Sequence, residues 1–374
     1  MTSHARLEAR GVAFLATRMS VLGDDPCGGS EVVMWEDAAI LKDAGIPVRV
    51  YGRAAREGAP VRVLPLHTSA PLVTSIEYGG QFLSKERDAL IIAYNEPVLA
   101  GWAPERTIVR FDWSTALPRY WNWPLWLSRF QRARYLFPSE SERQLFLRQH
   151  GQIPARGTTV VPNAVDLQLF RPVNNIASNQ PAKQLRVGFA GQWVPSKGID
   201  DLLDAWRSVK SMLPDVELHL AGGARLWKGT AESAGAAECA DRIRQMELDN
   251  LLQTVGALPH KRMRDFWNSL SVAVVPSHSE SFGLVALEAM ACGVPVVAAA
   301  VGGLKEIVQD GESGLLVPPG DAASLARGLT TLLTDEPLRR RLATGARRRA
   351  EKFSIERRSH ELLQLLADRM EKAA

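Results

Sequence analysis

The chain has 374 residues, of which 46% are hydrophobic and 23% are charged, and its formal net charge is +4. This length exceeds what one hydrophobic core usually supports, so we expect two domains of ~150 to 200 residues. The composition argues against long disordered segments, and so small a net charge is not the signature of a nucleic-acid-binding protein. Three widely separated cysteines, Cys27, Cys239 and Cys292, argue against a disulfide framework and a zinc site and fit a reducing cytoplasm.

The amino terminus carries charges at Arg6, Glu8 and Arg10, followed by only a short apolar run over 12–16. This pattern lacks the apolar core of a secretory signal. We therefore expect the run to form the first strand of a cytoplasmic protein.

The first half alternates short apolar segments with segments of other character, which predicts a parallel sheet covered on both faces. We predict a helix at about 30–43 and strands at 12–16, 48–51, 89–93, 108–111, 135–138 and 159–161.

Tryptophan and arginine are mixed in the region 113–134, which contains Trp121, Trp123, Trp126, Arg129 and Arg132 among others. Aromatic rings and cations together suit the headgroup region of an anionic membrane or a lipid-linked acceptor. The alternative is a solvated helix face.

The segment 171–184 is rich in Asn and Pro and has no periodicity, so we interpret it as the linker between a domain over 1–172 and a domain over 184–350. The second half repeats the alternation of the first. We predict strands at 186–190, 217–221, 254–256, 272–275 and 296–299 and helices at 198–212, 261–269, 284–291 and 322–333, with further helical segments after residue 336. Ligands of such sheets sit beyond the carboxyl ends of the strands, which favours a reaction site between two facing sheets.

The most informative segment is 276–296, with the sequence PSHSESFGLVALEAMACGVPV. A polar loop carrying Glu280 precedes a helix that begins near Gly283 and ends before Gly293. The free amides of the first helical turn favour a phosphate, and Gly283 lets a ligand approach the backbone. Glu288 lies one turn after Leu284, where a carboxylate can accept two hydrogen bonds from a ribose diol. Acidic residues near a helix start are also favoured by the helix dipole alone.

Two glutamates eight positions apart, with Phe-Gly-Leu-Val between them and Ala-Met-Ala-Cys-Gly-Val-Pro-Val after them, resemble the signature of the retaining glycosyltransferases of family four. The resemblance implies the GT-B fold, which consists of two facing Rossmann-like doubly wound domains with a cleft between them. It also implies that a last helix, within 351–374, returns to the first domain.

This resemblance implies retaining transfer of a hexose from a nucleoside diphosphate sugar to a hydroxyl acceptor, by same-face attack without an enzyme-linked intermediate. No metal or other cofactor is expected, and the chain has no D-x-D motif of the kind that holds Mn²⁺ or Mg²⁺ on a diphosphate. Lys197 and Glu280 are the implied catalytic residues. The implied donor-binding residues are Gly29, Gln192, Leu258, Phe282, Gly283, Leu284, Val285 and Glu288.

The chain departs from the family pattern at 191–198. Family members have Gly-Arg-Leu followed by Lys-Gly, whereas here Lys197 and Gly198 match but Gln192 occupies the arginine position. Three alternatives follow. Lys197 and the helix amides neutralise the leaving diphosphate by themselves, another arginine such as Arg225 supplies the missing positive charge, or the activity is reduced.

The first half offers weaker candidates. Gly28 and Gly29 stand where the family carries a Gly-Gly that faces the donor phosphate or the acceptor, and a tight turn is the plain alternative. Many relatives carry a histidine near 110, where this chain has Asp112, which either orients an acceptor hydroxyl or caps the next segment. Glu96 is another acceptor-side candidate. Segments 138–140, 161–166, 255–258 and 302–306 also resemble the family and are interpreted mainly as turns and caps.

The main functional hypothesis is therefore a hexosyltransferase of bacterial polysaccharide, glycolipid or metabolite synthesis, with a glycan, a lipid-linked compound or a small molecule as acceptor. It would be cytoplasmic, with possible contact at the inner face of the membrane and no nucleic-acid partner. The alternatives are a nucleotide-sugar-binding protein with weakened catalysis, suggested by Gln192 and the missing histidine, and another GT-B enzyme such as an epimerase or a phosphorylase.

Overall fold

The computed structural model describes residues 2–16, 29–52, 63–65, 74–112, 122–173, 184–223 and 231–372. The chain forms two compact units, Met1–Asn163 together with Ile355–Ala374, and Ala164–Ser354. The division thus falls upstream of the predicted linker at 171–184. The reason is that residues 164–173 pack with the second unit, where Val165 pairs with Ser354 and Phe170 lies in the hydrophobic core.

The described part of the first unit contains a parallel sheet of seven strands in the order β3-β2-β1-β4-β5-β6-β7. The strands are β1 (Val12–Leu15), β2 (Val48–Gly52), β3 (Val63–Pro65), β4 (Leu90–Tyr94), β5 (Thr107–Arg110), β6 (Arg134–Phe137) and β7 (Thr158–Val160). From the centre, the order runs outward through β2 and β3 on one side and through β4 to β7 on the other, which is the doubly wound pattern. The six strands predicted for this half are confirmed to within one residue.

Helices in this unit are α1 (Ser3–Arg10), α2 (Gly29–Asp43), α3 (Thr74–Lys85), α4 (Val98–Trp102), α5 (Pro124–Arg132), α6 (Glu140–Gln149) and the carboxy-terminal α14 (Ile355–Lys372), with 3₁₀ turns at Pro104–Arg106 and Ala155–Gly157. Leu362, Leu366 and Met370 of α14 repeat every four residues and are buried in the core cluster that also contains Val12 and Phe14 of β1. This single apolar stripe places the last helix in the core of the first unit.

The described part of the second unit contains a parallel sheet of six strands in the order β10-β9-β8-β11-β12-β13. The strands are β8 (Arg186–Gln192), β9 (Glu217–Gly223), β10 (Gln253–Gly256), β11 (Val272–Val275), β12 (Val296–Ala299) and β13 (Gly314–Val317). The helices are α7 (Ile199–Met212), α8 (Ala231–Leu248), α9 (His260–Asn268), α10 (Leu284–Ala291), α11 (Leu304–Ile307), α12 (Ala322–Thr334) and α13 (Glu336–Ala350), with 3₁₀ turns at Pro195–Lys197 and Glu351–Phe353. The strand order reverses between β8 and β11, so the loops after these two strands flank the switch point of the sheet, where ligands of such folds bind.

Candidate functional site

The loop after β11 leads into α10 through Gly283. This residue has a φ of 110°, in the left-handed region that favours glycine, and a Cβ atom there would lie 2.6 Å from Leu304 Cδ2. No side chain of the described residues caps α10. The amides of the first turn, including those of the half-buried Leu284 and Val285, have no acceptor within the helix and can bind an anion.

The loop after β8 contacts the loop after β11. Gly198 has a φ of 67°, and a Cβ atom on it would lie 2.0 Å from the carbonyl oxygen of Pro276. The backbone N–H of His278 donates to the carbonyl oxygen of Ser196 over 2.9 Å. The two strand-end loops are therefore held together at the switch point of the sheet.

Lys197 and Glu280, the two predicted catalytic residues, form an ion pair with 2.8 Å between Nζ and Oε2. The Ser277 hydroxyl also contacts Oε2, at 3.4 Å. The lysine side chain is 34% exposed and the glutamate side chain 12%, so the ammonium faces solvent more than its partner does. A partly exposed pair of this kind is worth about 0 to 1 kcal/mol, so a diphosphate can replace Glu280 as the partner of Lys197 at little cost.

Two further glycines, Gly302 and Gly303, contact the backbone of the loop that carries Glu280. The N–H of Gly303 donates to the carbonyl oxygen of Glu280 over 2.9 Å, and a Cβ atom on Gly302 would lie only 1.9 Å from that oxygen. The turn at 302–303, predicted mainly as architecture, thus fixes the backbone of a candidate catalytic residue.

Glu288 lies on α10 and is buried, with an exposed fraction of 7%. Its Oε1 is 3.1 Å from Nε2 of His260, and its Oε2 accepts a hydrogen bond from Nε1 of Trp267 over 3.2 Å. Both partners belong to α9. The sequence predicted Glu288 as a ribose ligand but did not single out His260 or Trp267. Their seven-residue spacing, which puts both on one helix face, was the available signal.

The remaining donor-side candidates make fewer side-chain contacts or lie at exposed positions. Gln192 is exposed at the end of β8. Leu258, between β10 and α9, packs on the hydrophobic cluster that contains the buried Phe282. Gly29 is exposed at the start of α2 in the first unit, whereas Cys27, Gly28 and Arg225 lie outside the described residues.

The acceptor-side candidates follow neighbouring strands of the first unit, Glu96 after β4 and Asp112 after β5, and both are buried. Asp112 Oδ1 accepts a hydrogen bond from Arg110 Nε over 2.7 Å, and the Asp112 N–H donates to Asn95 Oδ1 over 2.9 Å. Burial raises the pKa of Asp112 above its ordinary value, although the Arg110 guanidinium acts in the opposite direction. Oδ2 has no hydrogen-bond partner among the residues that the structure describes. The segment that Asp112 would cap, 113–121, lies outside them.

The described residues contain no group of three His, Cys, Asp or Glu side chains that could hold a metal ion. None of their helices has both the length and the apolar character needed to cross a membrane.

Comparison with known proteins gives matches to a family model, to curated proteins and to solved structures. Residues 171–349 match the family model "Glycosyl transferases group 1". Among curated proteins, a D-inositol 3-phosphate glycosyltransferase of Thermomonospora curvata is 39% identical over 226 residues, which cover 57% of this chain and 51% of that protein. The chain thus spans about half the length of the curated relatives it matches.

Solved structures match over nearly the whole chain. Sucrose-phosphate synthase of Thermosynechococcus elongatus is 25% identical with a TM-score of 0.76, covering 95% of this chain and 98% of that one. The Anabaena protein Alr3699/HepE, in complex with UDP-glucose, is 21% identical with a TM-score of 0.76, and the match covers 96% of this chain and 99% of that one. Residues 171–349 thus match the glycosyl transferases group 1 family, and the fold of the chain is the GT-B fold.

Proposed function

We propose that this protein is a retaining glycosyltransferase that transfers a hexose from a nucleoside diphosphate sugar to a hydroxyl acceptor. One observation carries the proposal. The amino terminus of α10 has no side-chain cap within the described ranges, and the loops that follow β8 and β11 bring the Lys197–Glu280 ion pair to the same switch point of the second sheet. The structure of the Anabaena protein contains UDP-glucose, which makes this compound the first donor to test.

The protein's part in the reaction is electrostatic. We propose that the departing diphosphate binds the Lys197 ammonium and the amides of Leu284 and Val285, which are already oriented before the donor arrives. Lys197 then exchanges Glu280 for the phosphate, and the carboxylate becomes available to a sugar hydroxyl. The acceptor oxygen forms its bond to the anomeric carbon on the face from which the diphosphate departs, while the bond from that carbon to the diphosphate oxygen breaks. The acceptor hydroxyl proton passes to the departing oxygen, and the configuration is retained.

Metal independence is part of the proposal. Lysine and helix amides supply the positive charge that a divalent ion supplies in enzymes with a D-x-D motif. Since Gln192 is neutral and exposed at the end of β8, Lys197 carries a larger share of this task. Incubation with UDP- and GDP-sugars in the presence of EDTA tests this point, because strict dependence on added divalent metal would contradict it.

The catalytic roles are tested by Lys197→Ala and Glu280→Ala. We expect each to lower kcat by about 10²-fold or more, since each removes a group that acts on charge or position in the transition state. Lys210→Ala is the matched control, because Lys210 lies in the last turn of α7 and, within the part of the chain that the structure describes, bonds only the carbonyl oxygens of Pro214 and Val216. The control should keep turnover.

One alternative has an observation in its favour. The neutral Gln192 fits a protein that binds nucleotide sugars without turning them over. Nucleotide binding by the wild type with neither transfer nor slow donor hydrolysis would favour this alternative, whereas hydrolysis that disappears in Glu280→Ala would exclude it.

The acceptor is proposed as a glycan, a lipid-linked compound or a small molecule. The curated relatives are named for transfer to D-inositol 3-phosphate, so this compound belongs in the first acceptor panel. Within the first unit, we propose that Oδ2 of Asp112 orients the acceptor hydroxyl and that Glu96, on the neighbouring strand-end loop, assists. Asp112→Asn should then raise the KM for the acceptor more than that for the donor.

We also propose peripheral contact with an anionic membrane through α5. Trp123 and Leu125 are 61% and 83% exposed at the start of this helix, and the arginines Arg129 and Arg132 lie in its last turn. Apolar side chains next to cations suit an anionic headgroup layer. Co-sedimentation with phosphatidylglycerol vesicles at low salt tests the contact. Leu125→Glu should weaken binding, and Leu248→Glu, at a leucine 72% exposed on α8, should not. No binding by the wild type removes the proposal.

A further inference from the structure

The carboxylate of Glu288 is held by two side chains from one face of α9. Trp267 is fully buried, and its indole N–H donates to Oε2 over 3.2 Å. On the other side, Nε2 of His260 lies 3.1 Å from Oε1. Because an ionised carboxylate only accepts hydrogen bonds, this contact requires the proton on Nε2 of the imidazole.

Neighbouring rings fix both donors in turn. The Phe170 ring lies 5.2 Å from the imidazole of His260, centroid to centroid, and Phe266 packs edge-on against Trp267 at 5.0 Å. Phe266 and Phe170 are themselves buried in the same hydrophobic cluster as Trp267. The two donors therefore cannot turn away from Glu288 without disturbing this cluster.

These contacts leave the carboxylate able to bind a ligand. Each of its oxygens has about two acceptor positions, and the contacts with α9 occupy one on each. One position per oxygen remains, which is the requirement for binding two adjacent hydroxyls. A glutamate side chain free to rotate would lose rotamer entropy on ordering, whereas Glu288 is ordered before any ligand arrives.

We propose that His260 and Trp267 are positioning residues that hold Glu288 for the ribose diol of the donor, and that they thereby set the preference for ribonucleotides over deoxyribonucleotides. This inference rests on the proposed function, because it takes a nucleoside diphosphate as the ligand. His260 and Trp267 would act through Glu288 and need not contact the nucleotide themselves.

The test is calorimetric binding of UDP, GDP and ADP, each alongside its 2′-deoxy counterpart. A hydrogen bond to a charged group contributes about 1.5 to 3 kcal/mol, which is about 10- to 150-fold in affinity, so the wild type should prefer the ribonucleotide by at least about tenfold. Trp267→Phe keeps an aromatic ring but removes the donor. It should lower affinity for the ribonucleotide, leave affinity for the deoxyribonucleotide nearly unchanged, and bring the ratio toward one.

His260→Ala provides a second variant at a side chain that is 28% exposed and so less critical for folding. Trp206→Phe is the matched control, because Trp206 is equally buried in the same unit and donates its indole N–H to the carbonyl oxygen of Leu251 over 2.6 Å. The control should keep the wild-type ratio.

The outcomes separate the two proposals. If the wild type binds none of the nucleotides, the proposed function fails. If it binds them without preferring ribose, the diol contact of Glu288 fails. If it prefers ribose and both α9 variants keep that preference, or lose affinity equally for both nucleotides, His260 and Trp267 have only a structural role and the inference is overturned.

Discussion

Replacing Gly302 by alanine should displace Glu280 without touching its side chain. The new Cβ atom would lie 1.9 Å from the Glu280 carbonyl oxygen, and since such contacts are essentially never below 3.0 Å, the two atoms must separate by about 1.1 Å. The movement also breaks the hydrogen bond from the Gly303 N–H to that oxygen. A misplacement of about 1 Å near the reacting atoms can cost about 10²-fold in rate, so we expect Gly302→Ala to lower kcat/KM for sugar transfer by about 100-fold.

The backbone strain of this substitution is controlled separately by Gly320→Ala. Gly302 and Gly320 have φ of 42° and 72°, where alanine costs about 1 to 2 kcal/mol, but a Cβ atom on Gly320 has no neighbour within 4 Å. Gly320→Ala should therefore lower the Tm by several degrees and leave turnover unchanged. Both variants are measured by donor turnover and by thermal unfolding. If Gly302→Ala keeps the wild-type kcat/KM, or if Gly320→Ala loses as much turnover as Gly302→Ala, the assignment of Glu280 as a catalytic residue is refuted.

Two further predictions concern stability and thiol reactivity. Arg358 of α14 donates to Asp37 Oδ1 through Nε and Nη2, at 3.0 and 2.6 Å, whereas Arg110 Nη1 lies 3.7 Å from Oδ2. Arg358→Ala therefore removes the nearer of two cations from a buried aspartate and should lower the free energy of unfolding by about 3 kcal/mol in denaturant unfolding, whereas Arg357→Ala, at an exposed pair, should cost about 0.5 kcal/mol or less. Equal losses of unfolding free energy in the two variants would contradict a stabilising role for the buried Arg358–Asp37 pair. Burial raises the pKa of Cys239 and of Cys292 to about 12, so at pH 8 about one thiol in 10⁴ is ionised. Peptide mapping after alkylation should show both labelled slowly in the native protein and quickly after unfolding, and rapid native labelling would contradict their burial.

The sequence predicted most of the sheets because their strands are apolar on both faces and therefore distinct from their surroundings. The eleven predicted strands agree with the structure to within two residues at each end. Two strands were missed, β3 and β13, which are three and four residues long and lie at the edges of their sheets.

Helix α1 shows why some helices could not be predicted locally. The segment Ser3–Arg10 is mostly polar and was expected only to precede the first strand. It is capped by the Thr2 side chain, which accepts from the Ala5 N–H, and it buries Leu7 in the core cluster that includes Met370 of α14. Its main stabilising contacts therefore come from the opposite end of the sequence.

At the candidate site, the sequence located each loop but not the contacts between loops. Lys197 and Glu280 are 83 positions apart, and their ion pair depends on the adjacency of β8 and β11. Asp112 was expected near an acceptor, but its carboxylate is buried against Arg110, which also lies 3.7 Å from Asp37 of α2. A burial of this kind depends on residues distant in sequence, so no local pattern reports it.

The most direct test of the central claim is a crystal structure of the protein with UDP, or with GDP or ADP if either binds more tightly. The prediction is a diphosphate at the amino terminus of α10, within hydrogen-bond distance of the Leu284 and Val285 amides and of Lys197 Nζ, with the Lys197–Glu280 pair separated. A nucleotide bound elsewhere, or a diphosphate that leaves this ion pair intact, would contradict the proposed site.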